Sequence, residues 1–157
     1  MFGVIGLLKG DPIRIRVKNN VTLYHINTAR RIPISLIPKV EKELERMEKL
    51  NVIMKVTEPT DWCSPMVVTE KKSGVARICV DLRALNKGIE REHYTIPTLQ
   101  DVATQIAGGQ IFSSLDATSG YYQIMLHDDS MKLTTFMTPK GRYRLRRLPF
   151  GITSSVK

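Results

Sequence analysis

The stretch Ile111-Phe-Ser-Ser-Leu-Asp116 is an apolar run that ends on a carboxylate, and Ala117-Thr-Ser-Gly-Tyr121-Tyr122 follows it as a turn and an aromatic pair. A carboxylate fixed at a strand end suits a divalent cation or a proton-transfer role, because the strand holds it rigidly. Two-metal chemistry on a phosphoryl group needs several carboxylates around ions about 3.5–4 Å apart, so Asp116 requires acidic partners. The alternative is that Asp116 only caps the turn after it. Asp128 and Asp129 form a second acidic pair, but the His-Asp-Asp-Ser sequence reads as a solvated turn.

Other groups could handle a polyanion. Lys71, Lys72, Arg77 and Arg83 line an expected hairpin and its exit. Lysines at such a tip could close over phosphates, and an arginine fork holds two oxygens at once; the alternative is a solubilised turn. Asp81, two residues before Arg83, could orient an arginine. Tyr121 and Tyr122 could stack on a base or pack in the core. From Lys140 to Lys157 there are six basic residues and no acidic ones. Arg142, Arg144 and Arg146 alternate with Tyr143 and Leu145, which puts them on one strand face as a phosphate track; the alternative is a protected edge strand. His25, His93 and His127 show no metal-ligand spacing.

The elements that must position these groups follow from periodicity. Residues 1–37 read as an extended lead-in, with a half-exposed strand over Asp11–Val21 where Ile13, Ile15 and Val17 alternate with basic residues. Pro33 and Pro38 are expected to delay a helix until Lys39. Lys39–Leu50 is the clearest helix, with Val40, Leu44 and Met47 on one face and four acids and four bases filling the rest. Asn51 would stop it, and Val52–Val56 could be a strand. Thr57–Pro65 reads as a loop. Pro65–Gly74 and Val75–Val80 read as a hairpin. Asp81–Lys87 is a short helix or turn. A second amphipathic helix follows Pro97, with Leu99, Val102, Ala103 and Ile106 on one face. Gly108-Gly109 ends it, and the strand bearing Asp116 comes next. Met131–Thr138 and Tyr143–Leu148 read as another hairpin, and Phe150–Lys157 would open a helix. Hairpins mixed with helices predict an α+β fold.

Composition sets the class. The 157 residues are 42% hydrophobic and 25% charged, enough for one domain with a core. Basic residues number 24 against 15 acidic, a net charge of +9, which favours a polyanionic partner such as nucleic acid. Two cysteines, Cys63 and Cys79, make neither a disulfide scaffold nor a zinc ribbon. The chain shows no signal peptide and no apolar run of about 18 residues, so an intracellular protein with no membrane partner is expected, cytoplasmic or nuclear.

Taken together, these stretches resemble the reverse transcriptases of gypsy-like LTR retrotransposon polyproteins. Glu43-Leu-Glu-Arg-Met-Glu-Lys-Leu-Asn-Val-Ile53, Trp62-Cys-Ser-Pro-Met-Val-Val68 and Arg77-Ile-Cys-Val-Asp-Leu-Arg-Ala-Leu-Asn-Lys87 are similar to the family's fingers. Phe112-Ser-Ser-Leu-Asp-Ala-Thr-Ser-Gly-Tyr-Tyr-Gln-Ile124 and Arg147-Leu-Pro-Phe-Gly151 are similar to its first palm motifs. The resemblance implies Mg²⁺ (or Mn²⁺) held by Asp116 with the Ala117 carbonyl, and a triphosphate held by Arg77 and Lys71 or Lys72. It makes Tyr121 the gate that selects deoxyribonucleotides, with Phe150 and Gly151 shaping the nucleotide pocket. It gives Arg83, Arg142, Arg144, Arg146 and Arg147 to the template and primer. The implied partners are an RNA or DNA template-primer, deoxynucleoside triphosphates and, in an intact polyprotein, RNase H and integrase regions.

The family's Tyr-x-Asp-Asp turn is absent from these residues. The expectation is therefore an extended lead-in over 1–37 and a partial reverse transcriptase domain over 38–157: fingers plus N-terminal palm, inactive alone. The alternative of a different class is a non-catalytic nucleic-acid-binding remnant of a transposon-derived polyprotein.

Overall fold

The computed structural model describes residues 5–70, 74–91, 95, 97–117 and 119–153. A five-stranded sheet carries the fold. Its strands are β1 (Ile53–Val56), β2 (Ser64–Glu70), β3 (Ala76–Val80), β4 (Phe136–Thr138) and β5 (Gly141–Leu145), in the spatial order β1-β5-β4-β2-β3. β2 and β4 run parallel, and the other neighbours are antiparallel. Both expected hairpins, β2–β3 and β4–β5, therefore form, and β5 is brought back beside β1 across most of the chain's length.

Helix α1 (Ile37–Lys49) lays Val40, Leu44 and Met47 into one core with Ile53, Ile78, Phe136 and Leu145. Pro38 opens this helix rather than delaying it. A proline in the first turn lacks only an N–H that has no partner there, and its fixed φ suits the helix. Asn51, at φ 58°, ends it in the left-handed conformation that asparagine tolerates. Three shorter helices follow: α2 (Arg83–Gly88), α3 (Leu99–Ile106) and α4 (Asp128–Leu133).

Several expectations need correction. Met131–Leu133 is the end of α4 and not part of a strand, because His127 caps the Asp128–Asp129 turn and starts a helix there. Pro65 lies inside β2, on the side paired with β4, where only two residues of β2 are in register. The Asp11–Val21 alternation gives isolated bridges, Ile13 to Leu126 and Val17 to Ile89, with Ile15 buried between them. This lead-in is tied down by backbone bonds such as Ile13 N–H to Met125 O at 2.9 Å and Lys18 N–H to Gly88 O at 2.9 Å. Gly88 allows the close passage: a Cβ there would sit 2.6 Å from a Val21 methyl.

The largest difference concerns Ile111–Asp116, which forms no strand. Ile111 and Leu115 are 91% and 96% exposed, and α3 before them buries no residue despite a complete capping box between Thr98 and Asp101. Alternation and capping act within a segment, but a strand needs a neighbour for its N–H and C=O groups. Among the described residues none pairs with this segment.

Candidate functional site

A cleft of about 1010 Å³ opens between α1, β3 and the turns that carry the aromatic residues. Arg77 enters its wall from β3, Tyr121 from a 3₁₀ turn over Gly120–Gln123, and Phe150 from the turn after β5. The 3₁₀ turn forms because Ser119 takes a left-handed φ of 54°, which lets Gly120 N–H donate to Ala117 O at 3.1 Å. The Tyr121 ring then meets Phe150 edge to face, with centroids 4.3 Å apart. Tyr122 lines the same cleft and, like Tyr121, packs half-buried against the core; burial pushes its hydroxyl pKa up. Gly151 follows Phe150 at φ +93°, a conformation that strains any side chain.

Lys71 and Lys72 lie outside the described residues. Asp116 is exposed and does not line the cleft. Among the described residues no three His, Cys, Asp or Glu side chains gather into a metal site. The Ala117 carbonyl already accepts the Gly120 N–H. One carboxylate and one engaged carbonyl do not make the two-ion site that the resemblance implies.

Arg83 forks onto Asp81, with Nε to Oδ1 at 2.9 Å and Nη2 to Oδ2 at 2.7 Å, and Arg30 approaches the same carboxylate at 3.3 Å. The Arg83 hydrogen bonds hold the Asp81 carboxyl down at about 2. Because the folded value lies below the ordinary 3.8, the pair's stabilisation is complete above about pH 4 and is lost as pH falls through 2. Arg83 is 82% exposed, so solvent screening keeps the effect small. Acid titration of the melting temperature should therefore show a step between pH 4 and 2 that Asp81→Asn flattens; an unchanged step would assign it to other carboxylates.

Arg142 and Arg144 do alternate with buried Tyr143 and Leu145. They are not on an edge strand, because β5 lies between β1 and β4. Arg144 pairs with Glu58 at 2.7 Å, Arg142 approaches the Thr57 carbonyl at 3.4 Å, and Arg146 bonds the Asn51 side chain. Arg147 is buried, and its guanidinium donates to the carbonyls of Asn51, Gly6 and Tyr122. Burial lowers its pKa. Sequence reasoning missed Asn86, whose side chain grips the turn after Phe150 from α2. Its type and position give no local signal for this, since the partners lie 65 and 67 residues away.

The fold is that of the fingers and partial palm of a right-hand polymerase. The chain overlays on the foamy virus protease-reverse transcriptase with a TM-score of 0.79 over 96% of its length, at 20% identity, covering 20% of that protein. The same viral protein in complex with an RNA/DNA hybrid gives 0.74 at 18% identity. Residues 69–156, more than half of the chain, match the model of the reverse transcriptase (RNA-dependent DNA polymerase) family, and the chain belongs to that family. It is 31% identical over 161 residues to the retrovirus-related Pol polyprotein from transposon 412 of Drosophila melanogaster, spanning 92% of this chain and 12% of that polyprotein. Over 128 residues it is 32% identical to the enzymatic polyprotein of Cauliflower mosaic virus (strain Strasbourg), of which it spans 19%.

Proposed function

We propose that this chain supplies the nucleotide-binding face of an RNA-directed DNA polymerase, and that the cleft receives a deoxynucleoside triphosphate. The supporting observation is that Arg77, Tyr121 and Phe150, from three distant stretches, line one cleft. Arg77 holds phosphate oxygens, with Lys71 or Lys72 beside it. Tyr121, braced edge-on by Phe150, stands where a ribose 2′-hydroxyl would be refused, and Gly151 keeps the backbone beyond it clear of a side chain. Asp116 is one ligand of a Mg²⁺ or Mn²⁺ site, with Ala117 O beside it, and the remaining carboxylates come from outside the described residues.

The template and primer lie along Arg83, Arg142, Arg144 and Arg146, a reading supported by the net charge of +9, whereas buried Arg147 holds the fold behind them. The LTR-retrotransposon branch, with RNase H and integrase regions in the same polyprotein, is supported by the likeness to the transposon 412 polyprotein.

Titration of this chain with a fluorescent deoxyadenosine triphosphate tests the cleft. Arg77→Ala removes a charge-assisted contact and should weaken binding about ten- to a hundredfold. Tyr121→Ala should narrow the preference for deoxy- over ribonucleotide. Equal binding by wild type and both variants would overturn the assignment. Salt-dependent nucleic-acid binding without nucleotide binding would favour the non-catalytic alternative.

A further inference from the structure

We infer that Asn86 is a positioning residue for the cleft: its side-chain amide holds the Phe150–Gly151 turn in place, and with it the edge of Phe150 against Tyr121. The inference rests on the nucleotide assignment of the cleft for its functional consequence, but not for its geometry.

Asn86 sits in the second turn of α2. That helix is well fixed. Leu82 and Leu85 are buried in the core, Gly88 is pressed against Val21, and Asn86 N–H donates to Leu82 O at 2.8 Å. From this platform Asn86 Nδ2 donates to the Gly151 carbonyl at 2.7 Å, and Asn86 Oδ1 accepts from Thr153 N–H at 3.1 Å. Both ends of one amide therefore bracket Ile152, whose side chain is only 4% exposed. Few side chains can do this: the site needs a donor and an acceptor on one short planar group.

The turn needs such a hold. Gly151 occupies a positive φ, and Phe150 is 65% exposed, so little packing fixes the ring apart from Tyr121. The ring is one wall of the cleft, yet the group that aims it is on another element that does not line the cleft. Without the bracket the Ile152 anchor remains, but the turn before it gains freedom to rotate. The ordering of Phe150 would then fall on the incoming nucleotide, which weakens binding.

Asn86→Asp and Asn86→Ala test this. The aspartate keeps the acceptor for Thr153 N–H but loses the donor and sets a carboxylate against the Gly151 carbonyl. The direct readout is the ring proton chemical shift of Phe150, displaced by the Tyr121 ring in the wild type. In both variants it should move toward the value of a free phenylalanine, while the shifts of core Phe136 stay put. Fluorescent deoxyadenosine triphosphate should bind about five- to tenfold more weakly at a temperature where the variants are folded. A Phe150 shift that stays at its wild-type value in both variants overturns the inference. So does unchanged nucleotide affinity in the Asn86 variants when Arg77→Ala binds weakly. If the wild type binds no nucleotide, the cleft assignment fails by itself, and the Phe150 shift still decides what Asn86 does.

Discussion

Phe136→Ala should destabilise the protein by about 3–5 kcal/mol and lower its melting temperature by roughly 10 °C. Phe136 is fully buried on β4, the middle strand of the sheet, where it is in register with Ser64 of β2 and Tyr143 of β5. Its ring stacks on Tyr143 with centroids 6.3 Å apart. Deleting it leaves a void where β2, β4 and β5 meet in the core, and the strands around it are held in register by their own backbone bonds, which resist closing the void. Phe136→Leu, which refills most of the volume, should recover more than half of the loss. Urea unfolding checks both variants. A cost near 1 kcal/mol for the alanine would mean that the β2–β4 junction is not the centre of the core.

Arg147→Ala should cost about 2–4 kcal/mol, a large loss for a residue whose type reads as a nucleic-acid contact. The guanidinium joins three separate segments. At 3.3 Å each, Nε donates to Asn51 O after α1, and Nη1 donates to Gly6 O of the lead-in and Tyr122 O beside the cleft. Removing it leaves three carbonyls without that donor. Lysine keeps the charge but has no fork, so Arg147→Lys should restore less than half of the stability. The same variants discriminate the template role that the resemblance implies. If Arg147→Ala melts like the wild type but lowers the salt slope of nucleic-acid binding by about one, Arg147 faces phosphate rather than the fold.

The parts of the fold that were legible in sequence share one property: their cause lies within a few residues. The α1 face is set by Val40, Leu44 and Met47 at helical spacing, its stop by Asn51, and the β2–β3 and β4–β5 hairpins by alternation around short turns. The resemblance that placed the chain in its family is likewise carried by contiguous motifs, and residues 69–156 match the family model. Lys71, Lys72, Arg77, Tyr121 and Phe150 were all nameable as candidates on residue type and motif, although the two lysines lie outside the described residues.

What needed tertiary structure was decided by partners far away in the chain. An apolar run marked Ile111–Asp116 as a strand, but pairing depends on a neighbour, and none of the described residues pairs with it. The resemblance gave Arg147 to the template and primer, but three carbonyls from positions 6, 51 and 122 hold it buried. Alternation put Arg142 and Arg144 on one face, while only the sheet order showed that β5 is an inner strand. The edge-to-face meeting of Tyr121 with Phe150 joins residues 29 positions apart, which pattern does not reveal. Asn86 is the extreme case: a polar residue on a short helix acquires its role wholly from a turn 65 residues later. Local pattern determines which backbone a segment prefers, because torsions and side-chain faces are properties of neighbours in sequence. Burial, ion pairing and the aim of a side chain are properties of neighbours in space, and only the folded chain supplies them.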